Sequence, residues 1–289
     1  MKFDYFDKVF VITGAAGGIG SHLAKEVASQ NAKVVALDIN QNKLDQLINS
    51  LPGNDHLAIC FDLTDKSEMK KAIDQIALKY GRIDVLVNNA AITSAERFDE
   101  RSLESIEQEL SINLLSPLLF MRLAIDLLKK SKDPRIISTV SLGGIFPLGE
   151  TPIYTTSKFG LRGAMLSLSL DLEKKGIKVS SILPSATDTA MLHKEAIEGG
   201  NTLQFLDPPQ TTDDVIKSFK KTLDNPKFER YPKPSESWLV RIVMLVPDLL
   251  PKLMPLFVGR GNKGHKKYLK ELEKRGIVKV VNGKYELNQ

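Results

Sequence analysis

The chain is poor in the residues that build disulfides and metal centres. Cys60 is the single cysteine, which excludes an intramolecular disulfide, and the four histidines (His22, His56, His193 and His265) form no Cys/His cluster with zinc-ligand spacing. No metal site is expected. The N-terminus has no basic segment followed by an apolar run of the secretory type, so a cytoplasmic location is expected. The longest apolar stretch, WLVRIVMLVPDLLPKLMPLFV at Trp238–Val258, is broken by three prolines and three charges, which argues against a bilayer-spanning helix.

What is present suits a soluble chain with a substantial core: 289 residues, 42% hydrophobic and 26% charged. The net charge of +5 is local, because residues 259–289 carry nine Lys/Arg against three Glu and the rest is close to neutral. A nucleic-acid partner for the main body therefore has no support in the charge balance.

Short β-rich runs alternate with helical patterns over the first 185 residues. Strands are expected at Lys8–Thr13, Lys33–Asp38, His56–Asp62, Ile83–Asn88, Arg135–Val140 and Ile177–Leu183. Helices are expected after Gly20 to about Gln30, and at Gln41–Ser50, Lys66–Tyr80, Ser102–Lys130 and Thr151–Lys175. Such alternation implies βαβ units: an α/β fold with a Rossmann-type doubly wound parallel sheet in three αβα layers, as a single domain with a C-terminal extension. Residues 1–235 are read as that domain, with a cofactor half to about 140 and a catalytic half beyond. Residues 186–210 are polar and irregular, the expected lid. A further helix is expected at Thr212–Leu223 and a last strand at Phe228–Tyr231. Residues 236–289 are an apolar segment followed by a basic extension.

Two motifs bear chemistry. Thr13-Gly14-Ala15-Ala16-Gly17-Gly18-Ile19-Gly20 follows the first strand and opens the first helix. Missing Cβ atoms at Gly14, Gly18 and Gly20 let backbone approach a pyrophosphate, whose charge meets a helix N-terminus. Asp38 closes the second strand, where a carboxylate accepts hydrogen bonds from an adenosine ribose and repels a 2′-phosphate. With no Lys or Arg in the loop or at 39–42, NAD(H) is favoured over NADP(H). The second motif is YTTSK at 154–158, which sets Tyr154 and Lys158 one helical turn apart on one face. Thr151-Pro152 just before it has the form of a helix start, a capping hydroxyl and then proline.

Together with Asp62-Leu63 after the third strand, NNAA at 88–91, Asn113 in the long helix and Ser141 thirteen residues before Tyr154, these motifs stand in one order. The chain from about Lys8 to Thr189 resembles the short-chain dehydrogenase/reductase family. The resemblance implies that Tyr154 is the general acid/base and that the Lys158 ammonium lowers its pKa from about 10. It also implies that Ser141 polarises the substrate oxygen and that Asn113 anchors a water leading to Lys158. Asp62, Leu63, Asn88 and Ala90 would line the cofactor groove with Ala16 and Ile19, while Lys158 would also hold the nicotinamide ribose. Pro184, Thr187 and Thr189 would meet the nicotinamide side. Read without the resemblance, Ser141 is a turn residue, Asn113 a helix-kink cap and Asn88-Asn89 a strand end. Ala91 and Ser185 stand where the family commonly has glycine.

The implied activity is hydride transfer between NAD(H) and an alcohol or ketone, by a homodimer or homotetramer. The apolar Trp238–Val258 suggests a lipophilic substrate. That segment reads as a pocket wall, a subunit contact, or a peripheral membrane contact extending through 238–270. Two other functions stay open: a non-catalytic dinucleotide sensor or membrane-associated binding protein, and a sugar-nucleotide epimerase. The latter usually has GxxGxxG spacing and a larger C-terminal domain.

Overall fold

The computed structural model describes residues 2–199 and 201–288, without the side chains of residues 236, 237, 239 and 256. Met1 of the expected domain and Gly200 of the expected lid lie outside the described residues.

The first half runs β1 (Val9–Thr13), α1 (Gly18–Ser29), β2 (Lys33–Asp38), α2 (Gln41–Ser50), β3 (Leu57–Cys60), α3 (Lys66–Tyr80) and β4 (Val85–Asn88). Then come α4 (Leu103–Leu110), α5 (Ser116–Leu128), β5 (Arg135–Thr139), α6 (Pro152–Glu173) and β6 (Lys178–Ile182). The remainder is α7 (Ala190–Glu198), α8 (Thr212–Asp224), β7 (Glu229–Arg230), α9 (Pro234–Val243), α10 (Leu250–Lys274), β8 (Val278–Val281) and β9 (Lys284–Leu287). Strands β1 to β7 form one parallel sheet in the order β3-β2-β1-β4-β5-β6-β7. The order reverses between β1 and β4, so a crevice opens beyond their C-terminal ends.

Both faces of the sheet are covered. Along β1, Val9 and Val11 point into one core with Leu86, Phe120 and Ile136, while Phe10 and Ile12 point into the other with Leu23, Val34 and Phe219. Burial on both sides is why the strands read as continuous apolar runs. Leu103–Leu128 is long and apolar enough to cross a bilayer by composition, but Phe120, Ala124 and Leu128 belong to the core.

Four expectations change. The helix expected over Ser102–Lys130 is divided by a π turn at Ser111–Leu115. Pro117 has no N–H for the Asn113 carbonyl, so the regular ladder cannot continue there. Thr151 precedes α6 but does not cap it, and its buried hydroxyl has no protein partner. The expected lid is not irregular, since it contains α7 and a 3₁₀ turn at Thr202–Phe205. Of the three prolines expected to interrupt a helix, Pro247 opens a 3₁₀ turn, Pro251 stands in the first turn of α10, where a missing N–H leaves no intrahelical bond unmade, and Pro255 lies inside α10, which continues through it.

The basic extension is itself folded. Helix α10 carries it to Lys274, and β8 and β9 form a hairpin about Asn282-Gly283, whose φ values of 50° and 76° suit a two-residue turn. A third apolar cluster joins Leu192 and Ala196 of α7, Phe205, and Tyr268, Leu269 and Leu272 of α10.

Candidate active site

Glycine shapes the nucleotide end. Gly14 has φ +60°, and a Cβ there would lie 2.7 Å from the Ala90 Cα. At Gly18 it would meet the Thr189 Cγ2 at 2.8 Å, and at Gly20 the Gly14 carbonyl at 2.2 Å. No side chain caps α1, and Gly17, Gly18 and Ile19 at its start line the cleft. The loop is held from outside: Ala16 N–H donates to Asp38 Oδ2 at 3.0 Å, and Asn40 N–H donates to Oδ1 at 3.1 Å. Asp38 thus ties the loop to β2 while still lining the cleft. This cradle, an uncapped helix end behind glycines with an acidic residue at the neighbouring strand end, fits a dinucleotide.

A cavity of about 530 Å³ runs from the cradle into the C-terminal half. Gly14, Gly18, Ile19, Asp38, Asp62, Leu63 and Ala90 line one end; Ser141, Tyr154, Lys158, Pro184, Thr187 and Thr189 line its middle. Three expected cofactor residues lie off the wall. Ala16 and Gly20 act through the loop backbone, and Asn88 is buried, its Nδ2 donating to Ser138 Oγ at 3.3 Å. The wall position belongs to Asn89, whose side chain bonds the Thr13 and Gly14 carbonyls and accepts from Thr139 Oγ1. Thr13 Oγ1 in turn accepts from the N–H groups of Asn89 and Ala90. NNAA marked this turn in the sequence, but alternation along an unseen strand could not say which asparagine faces the cleft.

Asn113 is also off the cavity wall and 1% exposed. Its Oδ1 accepts from Ile92 N–H at 2.8 Å, and its Nδ2 donates to the Ile92 carbonyl at 2.8 Å and to Ser157 Oγ at 3.2 Å. It fastens the loop after β4 to α6. Ser141 Oγ accepts from Gly143 N–H at 3.0 Å, which orients it in the turn after β5.

Lys158 is 2% exposed, donates to the Thr139 carbonyl at 3.2 Å, and lies 5.5 Å from the centre of the Tyr154 ring. Burial pulls its ammonium down to about 8, against the opposing pull of Glu109. Glu109 is itself buried on α4, raised by desolvation despite its ion pair with Arg101 at 2.5 Å. Tyr154 is shifted opposite to the sequence expectation. Burial first, and the Glu195 carboxylate second, hold the phenol protonated, while a hydrogen bond to Ser141 works the other way. In the protein alone, desolvation sets the direction of this shift.

The far wall comes from Trp238–Val258, for which the sequence left a pocket wall, a subunit contact and a membrane contact open. Val240 and Val243 of α9 and Leu250, Leu253, Met254 and Phe257 of α10 close the cavity, so the inner face of Trp238–Val258 is a pocket wall. The sequence did not single out Asp188, which receives His193 Nε2 at 2.6 Å, Tyr268 OH at 2.8 Å and Arg275 Nη1 at 2.7 Å. Despite burial, these partners hold its carboxyl below the usual range. Asp188 thereby joins α10 to the segment between Thr187 and Thr189.

Fold and cleft define a doubly wound dinucleotide-binding protein. The short chain dehydrogenase family model matches residues 8–198, and the chain belongs to that family. It is 31% identical over 205 residues to D-threitol dehydrogenase of Mycolicibacterium smegmatis, covering 70% of this chain and 78% of that protein. To the 3-oxoacyl-[acyl-carrier-protein] reductase of Thermotoga maritima it is 31% identical over 190 residues, covering 65% and 77%. Among solved structures, a short chain dehydrogenase/reductase from Burkholderia phymatum in complex with NAD superposes with a TM-score of 0.78 at 20% identity, covering 86% of this chain and 96% of that one. The 3-ketoacyl-(acyl-carrier-protein) reductase of Brucella melitensis complexed with NADH gives 0.70 at 23% identity, covering 80% and 99%. The chain is an oxidoreductase of a family that acts on CH–OH or carbonyl groups.

Proposed function

We propose that the chain transfers a hydride between NAD(H) and a lipophilic secondary alcohol or ketone. The observation that carries this reading is the continuity of the cavity, from the glycine cradle past Tyr154 to the apolar wall of α9 and α10. Bound NAD(H) would supply the hydride or accept it. The chain's own residues do the rest: the cradle and Asp38 hold the nucleotide, Ser141 positions the substrate oxygen, and Tyr154 exchanges a proton with it. The protonated phenol is ready to donate in the reducing direction. In the oxidising direction it must first lose its proton, and the ammonium form of Lys158 favours that loss. Lys158 is the one Lys or Arg among the described residues lining the cavity, which supports NAD(H) over NADP(H).

The test is turnover of a panel of long-chain and cyclic ketones with NADH by wild type and Tyr154→Phe. The substitution is expected to lower kcat by about 10²–10⁴-fold with NADH affinity retained. Full activity in Tyr154→Phe would overturn the assignment, and absence of turnover in both would favour a dinucleotide sensor.

Peripheral membrane contact by a cytoplasmic protein is a second element of the proposal. Trp238, Leu245, Val246 and Leu249 are exposed on the outer side of the segment whose inner side lines the cavity. Exposed apolar groups beside lysines suit an anionic bilayer surface. Flotation with anionic vesicles, lost in Trp238→Ala/Leu245→Ala, would support it; no flotation of wild type would remove it.

A further inference from the structure

The substrate half of the cavity is largely apolar, with Phe146, Leu148, Met191, Leu192, Leu203 and Leu206 facing the wall of α9 and α10; Glu195 and Asp207 are its two carboxylates. Of the two, Glu195 stands apart. On α7 it is one turn beyond Met191 and Leu192, so all three share the face that lines the cavity. Its position is held rather than free, because Gln204, also on the wall, donates its Nε2–H to Glu195 Oε2 at 2.8 Å. That bond occupies one lone pair and leaves Oε1 available. Among the described residues no Lys, Arg or His pairs with this carboxylate, in contrast to Asp207, also on the wall, which Arg260 meets at 3.2 Å.

An unpaired carboxylate in an apolar pocket is costly, and this one also works against the chemistry beside it. Its charge is the second-largest influence keeping Tyr154 protonated. A hydrocarbon wall at position 195 would remove both penalties, so the position makes sense if a ligand brings the missing donor.

We propose that Glu195, oriented by Gln204, is a specificity-determining residue that accepts a hydrogen bond from a second hydroxyl or amino group on an otherwise apolar alcohol or ketone. The substrate class is then amphiphilic: one end is the carbon that exchanges hydride near Tyr154, and another point carries the donor. This rests on the oxidoreductase reading above and narrows it. A site built to receive a donor discriminates strongly against the analogue that lacks it, whereas an apolar wall does not.

The experiment uses matched ketones with NADH: 2-decanone against its 5-, 7- and 10-hydroxy and 10-amino derivatives, and cyclohexanone against 4-hydroxycyclohexanone. The readout is the ratio of kcat/KM within each pair. Calorimetric Kd values for the corresponding diols and mono-alcohols are measured alongside, since binding does not depend on turnover. Wild type is expected to prefer at least one donor-bearing member by tenfold or more in kcat/KM and in Kd. In Glu195→Leu that ratio falls toward one. Glu195→Gln keeps the hydroxyl preference and loses the amino preference, and Gln204→Ala lowers both; these two also serve should Glu195→Leu fail to fold. No preference in wild type by either measure, or a ratio that survives in all three variants, overturns the subsite. Donor-dependent binding through Glu195 without turnover of any ketone would uphold the subsite and sink the proposed hydride transfer to lipophilic ketones.

Discussion

Helices α1 and α10 both carry glycines where backbone approaches closely, and they do so for different reasons. In α1 the glycines precede and open the helix, so the loop can turn at Gly14 and present the helix end to a ligand. In α10 they lie within the helix. A Cβ at Gly261 would fall 2.5 Å from the Thr202 carbonyl, and one at Gly264 would fall 1.8 Å from the Phe205 carbonyl. The missing side chains let the backbone of α10 press onto the lid. One glycine cluster makes a binding surface; the other makes a docking surface within the chain. The first can be read from its neighbours, while the second acquires meaning only when its partner, some sixty residues earlier, is known.

The largest expected effect separates these two roles. Gly14→Ala should weaken NADH binding by at least about tenfold, because alanine is strained at positive φ and meets Ala90. Gly264→Ala should leave NADH binding near wild type and lower Tm by several degrees as α10 lifts from the lid. Equal losses of NADH affinity in fluorescence titrations would break the distinction.

The wall of α10 gives the next effect. Leu253→Ala should lower kcat/KM for a long-chain ketone about tenfold or more, following the loss of a buried leucine's worth of apolar contact at about 1.5–3 kcal/mol. A two-carbon shorter ketone should lose less. Identical losses across chain length in steady-state kinetics would mean that the wall does not touch substrate.

At the nucleotide end, Asp38→Ala should raise the NADPH-to-NADH ratio of kcat/KM by about tenfold, the equivalent of about 1.4 kcal/mol. An unchanged ratio would show that Asp38 serves only to hold the Ala16 amide.

An effect of comparable size is on stability against pH. Burial lowers the Lys158 pKa to about 8, below its value in the unfolded chain, so the unfolded state binds more protons between about 8 and 10.5. This residue therefore destabilises the fold fully below about pH 8, and the penalty fades as pH rises through that window. Lys158→Met should be more stable than wild type at pH 7 by about 1–3 kcal/mol, with the difference shrinking toward pH 10.5. Denaturant unfolding at pH 7, 9 and 10.5 checks the trend, and a constant difference would refute it.

Much of the first half was legible because its signals are local. Strand β2 and helices α2 and α3 fall where the apolar period placed them, and local caps hold the two helix starts: Asn40 accepts from Lys43 N–H, and Asp65 accepts from Ser67 and Glu68 N–H. The grouping of Ser141, Tyr154 and Lys158 on one cavity wall also agrees with the motif order. Facing was not legible: neighbouring residues of a turn point in different directions, so Asn89 lines the cavity and Asn88 is buried. The lid was misread as irregular because polar composition hides a helix such as α7, whose apolar face is buried by Phe205, α10 and the β8–β9 hairpin, distant in sequence.

The amino-acid order alone thus determined the alternation of strands and helices, the glycine loop and the one-turn spacing of Tyr154 and Lys158, since each depends on backbone sterics within a few residues. The folded chain decided which groups surround them. It brought Glu195 into the pocket, tied Tyr268 and Arg275 to Asp188, and turned Leu253 and Phe257 inward. It also reversed the expected pKa shift of Tyr154, because desolvation depends on everything packed around a group and has no counterpart in sequence spacing.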